Sequence, residues 1–170
     1  MRTERKTKRV LDRIDLKILG MLQENARAQM KDVAEEVGLT SAPCIDRVKQ
    51  LERHDVITGY HARIDPSALG MSLLVFIEIT LVDKSGDQVA QFKRDISTVP
   101  QVLECHWVSG NYDFLLKARL HDIGGYRDLL NKVLLKLPGV KQVNSAVVIE
   151  EMKSDVGLPI ECAVRTDDAS

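Results

Sequence analysis

The sequence contains 170 residues, of which 44% are hydrophobic and 29% charged, and its formal net charge is -1. This length is enough for one domain of ordinary size or two small ones. The charge is unevenly divided, because residues 1–64 carry thirteen Lys and Arg against ten Asp and Glu, whereas residues 65–170 carry eleven against fifteen. An acidic C-terminal part excludes a protein that coats nucleic acid by positive charge alone. Binding to phosphates should be confined to the N-terminal part.

The N-terminal segment, residues 1–10, contains five Lys and Arg and little that could be buried. This composition is typical of a flexible basic arm, which could follow DNA phosphates or remain a solvated tail. A helix is expected at residues 12–24, where apolar residues recur at helical spacing. No signal-type apolar core follows the charged start, and no segment is apolar enough to span a membrane, so we expect a cytoplasmic protein.

Residues 31–53 have the spacing of a helix-turn-helix, with apolar residues at helical intervals on both sides of Gly38. Gly38 supplies the left-handed residue needed at the turn. The second helix, which Thr40 or Ser41 can cap, would enter the DNA major groove. The candidate DNA-binding residues are Thr40, Ser41, Ala42 and Pro43 at its start and, on its outward face, Asp46, Arg47, Lys49, Gln50 and Arg53. An ordinary amphipathic hairpin with a solvated face is the alternative.

Short β-prone stretches around Gly59 favour a small hairpin wing at residues 56–64. Pro66, small residues and Gly70 then indicate a linker, at the point where the charge changes sign. The expected organisation is therefore a basic arm at 1–10, a winged helix-turn-helix at 11–64, a linker at 65–72, a second domain at 73–153 and a C-terminal tail at 154–170.

The second domain repeats one pattern twice, with about 38 residues between equivalent positions. Each copy consists of a strand, an amphipathic helix, a proline and another strand. Two βαβ halves in tandem predict a ferredoxin-like βαββαβ fold, an αβ-sandwich, so the chain as a whole belongs to the α+β class. The strands are predicted at residues 73–82, 102–108, 114–120 and 140–151.

The predicted strands are apolar on both faces, since Val75 and Ile77 alternate with Leu74 and Phe76. The helices of this fold cover only one face of the sheet. The other face is therefore predicted to pair with a second subunit. A twofold dimer would present two recognition helices to half-sites about one helical turn apart.

The connection between the two halves contains Gly110, Asn111 and Asp113. Backbone N–H groups at such a turn can bind an anion and the carboxylate can bind a cation, which are the two charges of a free amino acid. A plain hairpin turn capped by Asp113 is the alternative.

The cysteines Cys44, Cys105 and Cys162 are far apart and lack metal-ligand spacing, so reduced, buried thiols are expected rather than disulfides or a zinc site. The four histidines are scattered, and the sequence has no nucleophile triad, phosphate-binding glycine loop or HExxH motif. We therefore expect no catalytic activity, no metal and no cofactor.

Five segments of the chain form a recognisable series: LDRID, GLTSAPCIDRVKQLE, SLLVFIEI, ECHWVSGNYDFLLK and LLKLPGV. Together they resemble the Lrp/AsnC (leucine-responsive regulatory protein) family of prokaryotic transcription regulators. The resemblance extends from residue 11 to residue 159, and it is strongest to the leucine-responsive members and to those that regulate alanine and D-amino-acid catabolism. Gln29 and Met30 depart from the family by replacing a Ser-containing helix start, so that helix should be poorly capped.

The resemblance implies a winged helix-turn-helix joined to an effector-binding αβ domain, in homodimers that assemble into tetramers, octamers or larger discs. It also implies a small amino acid, leucine or alanine, bound between dimers, with Asp113 at its α-ammonium group. Trp107 stands where the leucine-responsive members have Leu. The implied effector-binding residues are Trp107, Gly110, Asn111, Tyr112, Asp113, Ile123, Ala146, Val147 and Val148.

The function expected from these observations is sequence-specific regulation of transcription in amino-acid metabolism. The protein would bind a double-stranded DNA operator, and the effector would change the spacing of recognition helices by favouring one assembly over another. An architectural DNA-compacting protein is one alternative. A metabolite-binding or enzymatic αβ protein is another.

Overall fold

The structure, a computed structural model, describes residues 10–154 and 157–160. The chain divides into one unit that contains Met1–Arg63 together with Ser154–Ser170, and a second unit that contains Ile64–Lys153. The polypeptide therefore passes between the units twice, and the described residues of the expected C-terminal tail, 154 and 157–160, belong to the N-terminal unit. The predicted basic arm, apart from Val10, and Cys162 lie outside the described residues. In the part that is described, no helix is long and apolar enough to cross a membrane.

Three helices form the N-terminal unit: α1 (Arg13–Glu24), α2 (Met30–Glu36) and α3 (Ser41–Arg53). Asp12 and Asp15 form a capping box at the start of α1, in which each side chain accepts a hydrogen bond from the other residue's backbone N–H. Gly38 has a φ of 70°, as the turn between α2 and α3 requires. The core of this unit consists of Ile18, Leu22, Val33, Ala34, Cys44, Val48 and Leu51.

The caps of α2 and α3 differ in how well the sequence predicted them. Gln29 precedes α2 and makes no side-chain capping hydrogen bond, which confirms the expected weak start. Thr40 precedes α3 but also makes no such bond, and Ser41 is already the first helical residue, so the expected hydroxyl cap is absent. Pro43 lies in the first turn of α3, where backbone N–H groups have no intrahelical acceptor, so the missing N–H of proline costs no hydrogen bond there.

The hairpin predicted for residues 56–64 is wrong, because the described chain forms neither helix nor strand there. A hairpin needs two strands that pair with each other. Here single side chains hold the segment instead: the Tyr60 hydroxyl donates to Glu52 Oε1 at 2.9 Å, and Arg63 donates to the carbonyl of Ser154. The segment is thereby attached to α3 and to the C-terminal residues.

The second unit contains β1 (Leu73–Leu81), α4 (Gly86–Ile96), β2 (Val102–Trp107), β3 (Phe114–Leu120), α5 (Ile123–Asp128) and β4 (Val140–Val147). The four strands are antiparallel in the order β2-β3-β1-β4. This order confirms the predicted ferredoxin-like fold. The second predicted helix is interrupted, because α5 gives way to a π-helical turn at Leu129–Val133 and a 3₁₀ turn at Leu134–Lys136.

One face of the sheet packs on the helices, where Val75, Ile77 and Ile79 are fully buried with Phe92 of α4 and Leu134. The opposite face is not uniformly apolar, which corrects the prediction. Leu74 and Phe76 do lie on it, but strand pairing places Glu104 opposite Lys117 on the same face. These two side chains form an ion pair of 2.8 Å, and His106 also contacts Glu104. On β1 this face is apolar at Leu74 and Phe76 but carries Glu78, and it is charged along β2 and β3.

Candidate DNA-binding helix and effector loop

Helix α3 presents an exposed stripe opposite its buried residues. Cys44, Val48 and Leu51 face the core, whereas Ala42, Asp46, Lys49 and Arg53 recur at the spacing of one helical face and are exposed. Thr40, Ser41 and Pro43 are also exposed, and Gln50 is half-buried. The structure therefore places most of the predicted DNA-binding residues together on an accessible surface of α3.

The structure corrects the orientation predicted for Arg47, whose side chain is 29% exposed. Its Nη1 atom lies 2.6 Å from Asp12 Oδ2 and 2.9 Å from Asp15 Oδ1. Arg47 is three positions after Cys44 and four before Leu51, which places it beside the buried face of α3. Its guanidinium group is therefore directed at the start of α1 rather than outward.

Electrostatics reinforce this contact between helices. Partial burial would raise the pKa of Asp12, but hydrogen bonds from the Asp15 backbone and Arg47 outweigh it and lower the pKa. The hydrogen bonds to Asp12 and Asp15 in turn raise the pKa of Arg47. The sequence prediction missed these two acids, although their spacing of three residues at a helix start is a capping signal.

Tyr60 fixes the segment after α3 to the helix itself. Burial and the hydrogen bond to Glu52 raise the pKa of Tyr60 to about 12, so the phenol stays protonated and remains a donor at neutral pH. His61 follows Tyr60 and is exposed. The segment accordingly has a defined position beside α3 without any strand pairing.

The loop between β2 and β3 is closed by backbone hydrogen bonds of Asp113. The N–H of Val108 donates to the Asp113 carbonyl at 3.0 Å, and the Asp113 N–H donates to the carbonyl of Ile79 at 2.8 Å. Gly110 has a φ of 145°, which L side chains rarely adopt, and it is exposed like Asn111. The loop tip is therefore held at its base and open to solvent at Gly110 and Asn111.

The Asp113 carboxylate, which is 6% exposed, has two donors. Oδ2 accepts the backbone N–H of Leu81 at 2.9 Å, and Oδ1 lies 2.7 Å from Lys84 Nζ. Burial would raise the pKa of Asp113, but the Lys84 ammonium and the Leu81 N–H lower it more. Asp113 is an ionised, buried acceptor with a cation already beside it. No motif in the sequence indicated Lys84 as part of this site.

Trp107 lies beside this loop, at the end of β2, and is 63% exposed. Its ring stacks on Phe114 at a centroid distance of 6.4 Å, and Phe114 in turn stacks on Phe92 at 4.4 Å. Lys93 Nζ lies 4.9 Å from the Trp107 ring centroid, within range of a cation–π interaction. A cavity of about 420 Å³ lies next to Trp107 and is lined by Lys93, Ile96, Ser97, Val102, Leu103, Glu104, Cys105 and Phe114.

Cys105 is exposed on β2, contrary to the expectation of a buried thiol, whereas Cys44 is fully buried as predicted. The reason is position in the sheet, because β2 is an edge strand and has a neighbour on one side only. Among the described residues, no group of three or more His, Cys, Asp and Glu could hold a metal ion.

The structure does not bring all predicted effector-binding residues together in one chain. Trp107 and the 110–113 loop lie at the end of the sheet where Phe114 of β3 pairs with Ile79 of β1. Val147 pairs with Val75, four residues earlier on β1, or about 13 Å along the strand. Ile123 follows the end of β3 that pairs with the start of β1. The nine residues thus form one group around the loop and a second group, Ile123, Ala146, Val147 and Val148, toward the opposite end of the sheet.

Comparison with known proteins assigns both units. The family model of the Lrp/AsnC ligand binding domain matches residues 74–158, and a winged helix-turn-helix DNA-binding model matches residues 11–58. The chain belongs to the Lrp/AsnC family. It is a transcription regulator with a helix-turn-helix DNA-binding domain. This match excludes the alternative that residues 31–53 form an ordinary amphipathic hairpin with a solvated face.

Two curated relatives of this Lrp/AsnC regulator cover nearly its full length. The leucine-responsive regulatory protein of Haemophilus influenzae is 45% identical over 150 residues, which are 88% of this chain and 90% of the relative. That of Escherichia coli K12 is 44% identical over 151 residues, 89% of this chain and 92% of the relative.

Solved structures show the same fold. A transcriptional regulator of Neisseria meningitidis in complex with L-methionine has a TM-score of 0.86 at 32% identity, and the match covers 91% of this chain and all of that one. A feast or famine regulatory protein of Mycobacterium tuberculosis, also with L-methionine, has a TM-score of 0.77 at 28% identity, over 88% of this chain and 99% of that one. The Lrp/AsnC architecture therefore extends over both units of this chain.

Proposed function

We propose that this Lrp/AsnC regulator binds operators of amino-acid metabolism genes through α3 and that a free amino acid, bound at the loop containing Asp113, controls the binding. The single observation that carries the effector site is the buried, ionised Asp113 carboxylate beside an open loop with a glycine at positive φ. Two structural relatives were determined with L-methionine, which supports an amino acid as the ligand class.

The chemistry of the loop suits the two charged ends of an amino acid. The carboxylate of Asp113 accepts the α-ammonium group, and exposed backbone N–H groups around Gly110 and Asn111 can donate to the α-carboxylate. The cavity beside Trp107 offers an aromatic ring for an apolar side chain. Leucine, alanine and methionine are the candidate effectors, and no cofactor is needed for this binding.

The effector site extends between subunits. Within one chain, the Trp107–Asp113 group is separated from Ile123, Ala146, Val147 and Val148 by about half the length of β1. A small amino acid spans about 6 to 8 Å between its most distant atoms, given standard bond lengths, so it cannot contact both groups within one chain. A second copy can bring its own Ile123 group to the first copy's loop, which makes the ligand a contact between dimers.

Assembly links this site to DNA. Phe76, which is exposed on the uncovered sheet face, supplies apolar area for a homodimer, and Glu104 with Lys117 supply charges that fix its register. Dimers that share effector sites then form tetramers or octamers. An amino acid that prefers one such assembly changes the spacing of the α3 helices, with a coupling of about 1 to 3 kcal/mol, as is typical of allostery.

Titrated gel-shift assays on promoter fragments test this function together with calorimetry of each standard amino acid. We expect discrete sites, a specific amino acid that changes their occupancy, and loss of that response in Asp113→Asn while DNA binding persists. A response that survives in Asp113→Asn contradicts the effector site. Uninterrupted footprints along the whole fragment would indicate DNA compaction instead of regulation.

A further inference from the structure

Lys84 and an amino-acid ligand need the same oxygen atom. The Lys84 ammonium lies 2.7 Å from Asp113 Oδ1, and the other carboxylate oxygen is engaged by the Leu81 N–H at 2.9 Å. The Asp113 side chain is 6% exposed, so its carboxylate has little surface left for a second cation. Two ammonium groups within van der Waals contact of one buried carboxylate would also repel each other.

We infer that Lys84 is an internal competitor for the effector: its side-chain ammonium and the effector's α-ammonium bind the Asp113 carboxylate in turn. This inference rests on the proposed effector site and adds a residue that sets its affinity. Binding of the amino acid exchanges one N⁺–H···O⁻ contact for another. The net gain in binding free energy is therefore smaller than it would be if the carboxylate had no cation beside it.

Lys84 is suited to this exchange because it leaves Asp113 easily. Its side chain is 66% exposed, and its residue lies just before the N-cap of α4, Ser85. A released lysine ammonium regains full hydration, whereas the carboxylate is buried and needs a cation in either state. The competition therefore raises the amino-acid concentration at which the site fills, while the buried charge remains neutralised throughout.

The same unit contains a matched control. Lys132 pairs with Asp128 at 2.9 Å, and its side chain is 68% exposed, so it resembles Lys84 in exposure and in pairing. Asp128, unlike Asp113, is itself exposed. Lys132→Gln changes the net charge of the unit by the same amount as Lys84→Gln without freeing Asp113.

The test is calorimetry of the standard amino acids with full-length wild-type protein, followed by titration of the tightest-binding one into Lys84→Gln, Lys84→Arg, Lys132→Gln and Asp113→Asn. We expect Lys84→Gln to lower the dissociation constant about three- to tenfold, as for removal of one partly exposed charged contact. Lys84→Arg keeps a competing cation and should remain within about twofold of wild type, as should Lys132→Gln.

A desamino probe separates competition from a general change in charge. The carboxylic acid that lacks only the amino group of the tightest binder, isocaproate if that binder is L-leucine, does not need Asp113. Lys84→Gln should therefore raise the affinity for this analogue no more than Lys132→Gln does. An equal gain for the amino acid and its desamino analogue would overturn the competition.

Thermal unfolding provides a second readout that does not depend on absolute affinity. Lys84→Gln leaves the buried Asp113 without its cation, so this variant should melt below wild type and gain a larger shift from saturating amino acid. Unchanged or weaker amino-acid binding in Lys84→Gln, with binding lost in Asp113→Asn, refutes the competition but leaves the proposed function intact. Full binding in Asp113→Asn refutes the proposed effector site itself.

Discussion

The Nη1 atom of Arg47, on the DNA-binding helix α3, lies 2.9 Å from Oδ1 of Asp15, a residue of α1 that is 1% exposed. A carboxylate this deeply buried is costly without a cation or hydrogen-bond donors. The same guanidinium nitrogen also contacts Asp12. The arginine that the sequence suggested as a DNA contact thus fixes the position of α3 against α1.

Replacing Arg47 should therefore affect folding before it affects DNA recognition. Arg47→Met is expected to destabilise the N-terminal unit by about 2 to 3 kcal/mol, since charged hydrogen bonds are lost and Asp15 stays buried. Chemical denaturation followed by circular dichroism measures this. Lys49→Met, at an exposed position of the same helix, is the control and should change stability by less than about 0.5 kcal/mol. Weaker operator binding by Arg47→Met at unchanged stability would show a direct DNA contact after all.

Lys49 is one of two cations, with Arg53, on the exposed stripe of α3, and its removal should affect DNA binding directly. Lys49→Ala is expected to weaken operator binding and to reduce the slope of log affinity against log salt by about 1, the value for one lost phosphate contact. Fluorescence anisotropy over a range of salt concentrations measures both effects. Lys132→Ala, on the other unit, should leave the slope unchanged. An unaltered slope in Lys49→Ala would remove this residue from the DNA interface.

Asp113 should make the stability of the second unit depend on acid pH. The Lys84 ammonium and the Leu81 N–H outweigh burial and hold the pKa of Asp113 below its ordinary value. A carboxyl group whose pKa is lower in the folded state contributes stability above its unfolded pKa of about 3.9 and loses it as the pH falls through the folded value. The melting-temperature difference between wild type and Asp113→Asn should therefore be largest near pH 7 and shrink below about pH 4. A difference that stays constant down to pH 2 would contradict the ionised pair.

The carboxamide of Gln23 on α1 binds the backbone of Leu158 at two points. Its Nε2 donates to the Leu158 carbonyl at 2.8 Å, and its Oε1 accepts the Leu158 N–H at 2.9 Å. Gln23→Leu removes both hydrogen bonds while keeping the size of the side chain. Local opening of residues 157–160 then no longer requires these bonds to break, so amide exchange there should accelerate at least about tenfold. Hydrogen-exchange mass spectrometry of the C-terminal peptide measures this, and exchange within α2 serves as the internal reference. Unchanged exchange of the C-terminal peptide would mean that other contacts hold the segment.

Features that depend on local pattern could be predicted from the amino-acid sequence. Helical spacing and Gly38 predicted the helix-turn-helix, and the tandem βαβ pattern predicted the ferredoxin-like sheet. Three strands lie close to their predicted bounds, whereas β4 ends at Val147, four residues before its predicted end. These succeed because side-chain periodicity reflects which face of an element is buried. The resemblance to the Lrp/AsnC family, carried by contiguous segments, agrees with the family matches of both units.

The positions of the ion pairs could not be predicted in this way, because they join residues that are far apart in the chain. Arg47 contacts Asp12 and Asp15, which are 35 and 32 positions away in the sequence. Lys84 likewise contacts Asp113, which lies 29 positions later. The failed hairpin after α3 has a similar origin: β-prone residues form strands only where another strand pairs with them. Separation of the effector residues into two groups likewise follows from strand register, which spacing along the sequence does not contain.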